Sequence, residues 1–170
     1  MHNQHRTYNR SEMNYLKSLI RGSKRAGELK KSLENIGSTV HLEQLVGGAY
    51  SLYAADIVER MGGIHIFLAD DRDAAAYLVT DLYELLNEEH VAFFASGYKR
   101  SAAYGAEDAQ GIVRRTGALN AITNFKDGYL AICTSPEALA ETVVDERSLA
   151  AQSLRISVGD TLEPNTLVEW

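Results

Sequence analysis

Two glycines followed within three residues by a hydroxyl side chain can hold a phosphate, and such a group stands at Gly47-Gly48-Ala49-Tyr50-Ser51-Leu52. A phosphate-binding loop needs glycines so that backbone amides can wrap the anion, a lysine to reach the outer phosphates, and a hydroxyl to hold magnesium. The lysine is missing. The next basic residue is Arg60, most of a helix away, and no G-x-G-x-x-G dinucleotide pattern occurs. The group therefore reads as a tight strand-to-helix turn, with weak anion binding at a helix start as the functional alternative. Gly22 to Gly27 repeats the glycine spacing of a phosphate loop, but Glu28-Leu29 stands where lysine and hydroxyl should be, and no strand pattern precedes it.

Other reactive residues offer less. Asp70-Asp71 after an apolar run could form the acidic pocket of a receiver-like signalling domain. That chemistry needs a phospho-accepting aspartate and a lysine after later strands, where Phe93-Phe94-Ala95-Ser96 and Ile132-Cys133-Thr134-Ser135 supply neither. Helix capping by a short carboxylate is the better account. Cys133 sits mid-run with no adjacent cation to lower its pKa and reads as a core filler. His2, His5, His41, His65 and His90 lack the i, i+4 spacing of metal ligands. No catalytic, metal-ligating or cofactor-binding residue is expected. Two basic groups, Tyr98-Lys99-Arg100 and Arg114-Arg115, are candidate contacts to a partner or neighbouring domain, against the alternative of a solvated surface.

The elements that would position these residues alternate in type. Ser11 to Asn35 reads as helix in two pieces broken at Gly22, and Val40 to Val46 as a strand. Tyr50, Tyr53, Ala54, Ile57, Val58 and Met61 then recur with a helical period. Ile64 to Ala69 and Val91 to Ala95 are apolar runs of the kind buried on both faces of a parallel sheet. Between them Ala75, Leu78, Val79, Leu82, Leu85 and Leu86 share a helix face. A helix over about 107–122, with Ala109, Ile112, Val113, Leu119 and Ile122 inward, precedes a strand at Tyr129 to Thr134. Ser135 and Pro136 then open a short helix as cap and first residue. The order predicts an α/β fold, an open parallel sheet with helices on both faces. Leu154, Ile156 and Val158 alternate with Arg155 and Ser157 in a last, half-exposed strand before a turn at Gly159-Asp160 and a helix start near Pro164 to Trp170.

The expected organisation is a basic helical arm at 1–37, an α/β subdomain at 38–150, and at 151–170 the opening strand and helix of a truncated second subdomain. At 170 residues the chain suits one ordinary domain with appendages. A lone cysteine excludes an internal disulfide. No apolar run approaches the ~20 residues of a bilayer span, and the amino terminus lacks a signal-peptide core, so no membrane role and a cytoplasmic location are expected. Residues 1–31 hold eight Lys/Arg against Glu12 and Glu28, a surplus of +6, while the rest holds nine basic and twenty-one acidic residues, or -12. Such an acidic body is poorly suited to non-specific nucleic-acid binding.

Several tracts resemble one family. Leu45-Val-Gly-Gly-Ala-Tyr-Ser-Leu-Tyr-Ala-Ala, Ile66-Phe-Leu-Ala-Asp-Asp-Arg-Asp-Ala-Ala and Val91-Ala-Phe-Phe-Ala-Ser-Gly-Tyr-Lys-Arg are similar to the start of bacterial transcription-repair coupling factors (Mfd). Pro136-Glu-Ala-Leu-Ala-Glu-Thr-Val-Val-Asp and Leu149-Ala-Ala-Gln-Ser-Leu-Arg-Ile-Ser-Val-Gly-Asp resemble the family's join between its first two subdomains more specifically. The likeness covers about residues 38–170. It implies a fragment of a DNA-repair protein that releases stalled RNA polymerase with an ATP- and magnesium-dependent DNA translocase module and recruits UvrA. It also implies a UvrB-like, helicase-type subdomain with a degenerate phosphate loop, where Ala49, Tyr50 and Ser51 replace the glycine, lysine and threonine that hold ATP. The UvrA-binding surface would lie mainly in the second subdomain, and the polymerase, DNA and ATP sites further on. The expected function is thus a non-catalytic scaffold and interaction domain without a cofactor of its own, one that packs against other parts of its parent. A small nucleotide-binding enzyme using Gly47-Gly48 and a receiver-like domain using Asp70-Asp71 are the rival readings.

Overall fold

The computed structural model describes residues 10–98 and 107–143. Six helices and three strands run in the order α1 (Arg10–Arg21), α2 (Lys24–Leu33), α3 (Ala49–Met61), β1 (Gly63–Leu68), α4 (Arg72–Leu85), β2 (Val91–Phe94), α5 (Ala109–Asn124), β3 (Tyr129–Thr134) and α6 (Pro136–Ala140). Side-chain caps account for the starts of α2, α4 and α5. Ser23 accepts the Ala26 amide at 3.2 Å, Asp71 the Ala74 amide at 2.8 Å, and Asp108 the Gln110 amide at 3.2 Å. Asp71 thus takes the capping role expected of the Asp70-Asp71 pair. Pro136 holds the first turn of α6, but the Ser135 side chain makes no capping bond.

The strands form one parallel sheet in the order β1-β3-β2, with Ile66 opposite Ile132 and Phe93 opposite Cys133. The α/β class with helices on both faces follows directly. On one face Phe93, Ala131 and Cys133 pack against Ala54, Ala55 and Val58 of α3 and Leu78, Val79 and Leu82 of α4. On the other, Ala92, Phe94, Leu130 and Ile132 meet Ala118 of α5 and Ala138 of α6. Alternate residues of β3 serve opposite cores, which is the period-two rule of a strand.

Three expectations are corrected. Residues 38–46 form no strand. Gln44 has φ +60°, a left-handed backbone that interrupts an extended run, and Leu42 and Val46 lie exposed beside it. The segment runs along α2 and α3 instead, with residues 40–45 bordering a groove that includes Leu29 and Tyr53. Secondly, β1 is not buried on both faces, because Ile64, Ile66 and Leu68 are exposed. Thirdly, the buried residues of α5 are Gly111, Arg115 and Ala118, with Leu119 packed against the core as expected, whereas Ala109, Ile112, Val113 and Ile122 are exposed. The expected strand at 154–158 and the helix start after it lie outside the described residues.

Two glycine sites carry the close contacts. Gly62 and Gly63 turn α3 into β1 with φ of +65° and +79°, and the Gly63 amide donates to Gly128 O at 2.9 Å. At Gly111 a Cβ would stand 2.0 Å from the Ser96 carbonyl oxygen, so α5 can approach the end of β2 only there. Gly117, on the same helix, has open space around it. Alanine is the better helix former by about 1 kcal/mol, so Gly117→Ala is expected to raise stability by up to that amount. Gly111→Ala should instead lower it by about 1–3 kcal/mol through overpacking. Urea denaturation of the two variants checks the opposite signs.

Candidate functional site

In an open α/β sheet, ligands bind beyond the carboxyl ends of the strands. Beyond β1 lies a cleft of about 560 Å³ between the start of α3 and α4, bordered by Gly47, Tyr50, Ser51, Leu68, Asp70 and Asp81 among others. It has the position of a phosphate-binding loop but not its chemistry. Among the described residues no lysine or arginine borders it. The Ser51 hydroxyl, the group that would face magnesium, is buried and donates to Asp81 Oδ2 at 2.5 Å. Gly48 begins α3 without any side-chain cap. Asp70 and Asp81 add negative charge where a triphosphate would need positive charge. The residues present therefore do not fit a nucleotide's phosphates.

Beyond β2 and β3 the ends are closed by protein. Arg115 is buried, and its guanidinium donates from Nη1 to Ala138 O at 2.8 Å and Ala95 O at 3.3 Å. Nη2 donates to Glu141 O at 3.1 Å and Thr142 O at 3.4 Å. The same group lies 4.1 Å over the Phe94 ring and 3.6 Å from Glu141 Oε2. Glu141 in turn accepts the Ser96 hydroxyl and, at 2.9 Å, the Gly97 amide. Nearby, Arg72 of α4 bonds Asp108 at the start of α5. That bond holds the Asp108 carboxyl below the ordinary carboxylate range. The link is therefore kept above the unfolded carboxylate pKa and lost as pH falls through the lowered value.

The sequence-predicted contact residues separate. Tyr98 is half exposed and bridges Glu107 in antiparallel fashion. Lys99 and Arg100 lie outside the described residues. Arg114 is exposed at the edge of β2, 5.7 Å over the Phe93 ring. Arg115 does not join it in a surface cluster: one step along the helix turns it into the protein, where it is spent on main-chain carbonyls. Of the turn residues Gly47, Gly48, Ala49, Tyr50 and Ser51, the first and the last two border the cleft, whereas Gly48 and Ala49 face a neighbouring groove between α1, α3 and α4. Tyr50 stacks edge-on with Phe67 at 6.5 Å.

The remaining reactive groups are occupied. Cys133 is buried, and burial pushes its thiol up to about 12. His65 Nε2 lies 2.7 Å from Gly62 O, and His90 packs on Tyr129 with ring centroids 4.5 Å apart. Among the described residues no group of three or more His, Cys, Asp or Glu could hold a metal ion, and no helix is long and apolar enough to cross a membrane. Sequence reasoning missed Glu141 and the Ser51–Asp81 pair. The only signal for the first was that Arg115 falls between the small residues Gly111 and Ala118, which mark a close-packed helix face. Comparison with protein-family models, curated proteins and solved structures finds no match.

Truncating Arg115 would leave four carbonyls and a carboxylate without their cation. Arg115→Ala is expected to cost about 3–5 kcal/mol, the range for one partner of a buried pair. Arg114→Ala should cost less than about 1 kcal/mol, the worth of an exposed cation–π contact. Chemical denaturation monitored by circular dichroism compares the two, and equal losses would contradict the buried role of Arg115.

Proposed function

We propose that the chain is a non-catalytic scaffold and interaction domain, the UvrB-like amino-terminal part of a bacterial transcription-repair coupling factor. The observation that carries the reading is the start of α3. The resembled tract Leu45 to Ala55 keeps the two glycines of a phosphate loop at the carboxyl end of a parallel sheet, while its lysine is absent and its hydroxyl is turned onto Asp81. A helicase-type, P-loop-NTPase-like fold with a degenerate loop is compatible with that arrangement, and the short parallel sheet flanked by helices supports it at the level of class. The tract Pro136 to Asp160 adds the join between two subdomains.

On this reading the domain needs no cofactor, and ATP and magnesium belong to the motor module of the parent protein. Its role is mechanical: a rigid α/β body carries the following subdomain, through which UvrA is recruited. RNA polymerase and DNA are engaged by other modules, and the working location is the cytoplasm. Arg114 and Tyr98 are the exposed candidates for packing against the rest of the parent.

Two measurements test the proposal. A ligand at 100 times its dissociation constant adds about 2.7 kcal/mol of stability. Millimolar magnesium-ATP is therefore expected to leave the melting temperature unchanged, and a clear upward shift would sink the non-catalytic reading. In a UvrA pull-down, this chain should bind far more weakly than a polypeptide that continues through a complete second subdomain. Equal binding by both would overturn the placement of the UvrA surface.

A further inference from the structure

Parallel sheets are almost always covered on both faces, and among the described residues this one is so covered at β2 and β3 but not at β1. On the face shared with α5 and α6, the β2 and β3 residues Ala92, Phe94, Leu130 and Ile132 are buried. The three β1 residues on that face are open: Ile64 is 41%, Ile66 65% and Leu68 55% exposed. Among the described residues no strand pairs with the other edge of β1. The Gly63 amide donates to Gly128 O and the Ala69 amide to Thr134 O, both on the β3 side. Alternation along a strand then turns the N–H and C=O groups of Ile64, Ile66 and Leu68 away from β3. Natural edge strands are blunted by charge, proline or a bulge, whereas Gly63–Leu68 contains neither charged residue nor proline.

We propose that this open face and edge of β1 dock residues 144–170 of the same chain, with Leu154, Ile156 and Val158 as the side chains that meet Ile64, Ile66 and Leu68. Three observations select this occupant. The chain leaves the described fold on the correct side, because Ala138 of α6 belongs to the same face as the exposed residues and Val143 follows directly. The distance is within reach: the stretch from Val143 to Leu154 can extend about 35 Å, whereas β1 and β2, two strand spacings apart, are separated by about 10 Å. The pattern also matches, since Leu154, Ile156 and Val158 alternate with Arg155 and Ser157 to give one apolar and one polar side.

A second copy is the weaker occupant. Stable interfaces between proteins use about 20–30 residues a side, and a strip of three is far short of that. A tethered segment needs less, because tethering supplies a local concentration in the millimolar range. The inference rests on the sheet and does not depend on the family reading above.

Disulfide trapping in the full chain tests it. Ile66→Cys is combined in turn with Leu154→Cys, Ile156→Cys and Val158→Cys, and with Ser157→Cys as the control, under mild oxidation. Cys133, buried with its thiol pushed up to about 12, does not compete. At least one of the first three pairs should give an internally crosslinked monomer on a non-reducing gel and by intact mass, more completely than the control. Covalent dimers of the Ile66→Cys chain would assign the face to a second copy, and absence of any crosslink would leave it without the proposed occupant; either result overturns the proposal. Hydrogen exchange gives an independent readout. Ile156→Asp should speed exchange of the Ile64 to Leu68 amides about tenfold, the behaviour of a locally released strand, and an unchanged rate would also count against docking.

Discussion

A buried guanidinium with more carbonyls than carboxylates around it fixes the end of the sheet where β2 and β3 finish. Removing a charge from water is costly unless its hydrogen bonds are replaced. Arg115 replaces them with the carbonyls of Ala95, Ala138, Glu141 and Thr142, which come from the end of β2, from α6 and from the chain beyond it. Arginine suits this place because its planar fork presents several donors in fixed directions and stacks on an aromatic ring, here Phe94. Three chain segments are thereby held to one helix. Gly111 completes the arrangement one turn earlier, since α5 can lie against Ser96 only where no Cβ intervenes. Among the described residues the ends of β2 and β3 are consequently occupied by the protein's own groups, and a cleft lies beside β1.

A second charged network attaches the amino-terminal helices. Asp56 of α3 is fully buried and lies between Arg21 of α1, at 3.0 Å, and Arg60, at 2.6 Å. Arg60 also donates to Ala26 O of α2 at 2.7 Å, while Lys17 pairs with Glu59 and donates to Leu85 O at 2.8 Å. This changes the meaning of the charge asymmetry. The surplus in residues 1–31 suggests a basic arm free to meet an acidic partner, yet Lys17 and Arg21 are spent within the fold, and Lys24 and Lys30 pair with Glu28 and Glu34 along α2. Lys17, Arg21, Lys24 and Lys30 thus balance acids of the same domain.

The parts of the fold that were legible in the sequence are those with a strong period and one dominant face. The stripe Ala75, Leu78, Val79, Leu82, Leu85 and the strand Tyr129 to Thr134 fall where expected because burial determines them, and Ile64 to Leu68 forms a strand as expected although one of its faces is exposed. Val40 to Val46, in which Val40, Leu42, Leu45 and Val46 are interspersed with His41, Glu43 and Gln44, fails because a strand needs a neighbouring strand to pair with, and the sequence does not show whether one is there. The face of α5 fails for another reason. Hydrophobicity pointed to Ile112, Val113 and Ile122, but close approach to the sheet selects small residues, and the polar ends of the strands select an arginine. At the cleft the missing lysine was legible, whereas the commitment of Ser51 to Asp81 depends on a helix lying thirty residues away.

That commitment explains how the start of α3 keeps its shape without an anion. A helix amino terminus carries a partial positive charge and amides lacking intrahelical partners, and in phosphate loops the bound anion satisfies both. Here Gly48 offers no side-chain cap. The Asp81 carboxylate stands 2.5 Å from the Ser51 hydroxyl, in the first turn of α3. A negative charge held there by α4 is an internal counterpart to the helix end, and it needs no ligand to be in place. The same carboxylate makes the cleft unfavourable to a phosphate, since an incoming anion would have to approach Asp81 and Asp70 with no bordering lysine or arginine among the described residues to offset them. Stability of the turn and its failure to suit a nucleotide thus have a single physical origin, and restoring a lysine alone would leave Asp81 holding the hydroxyl.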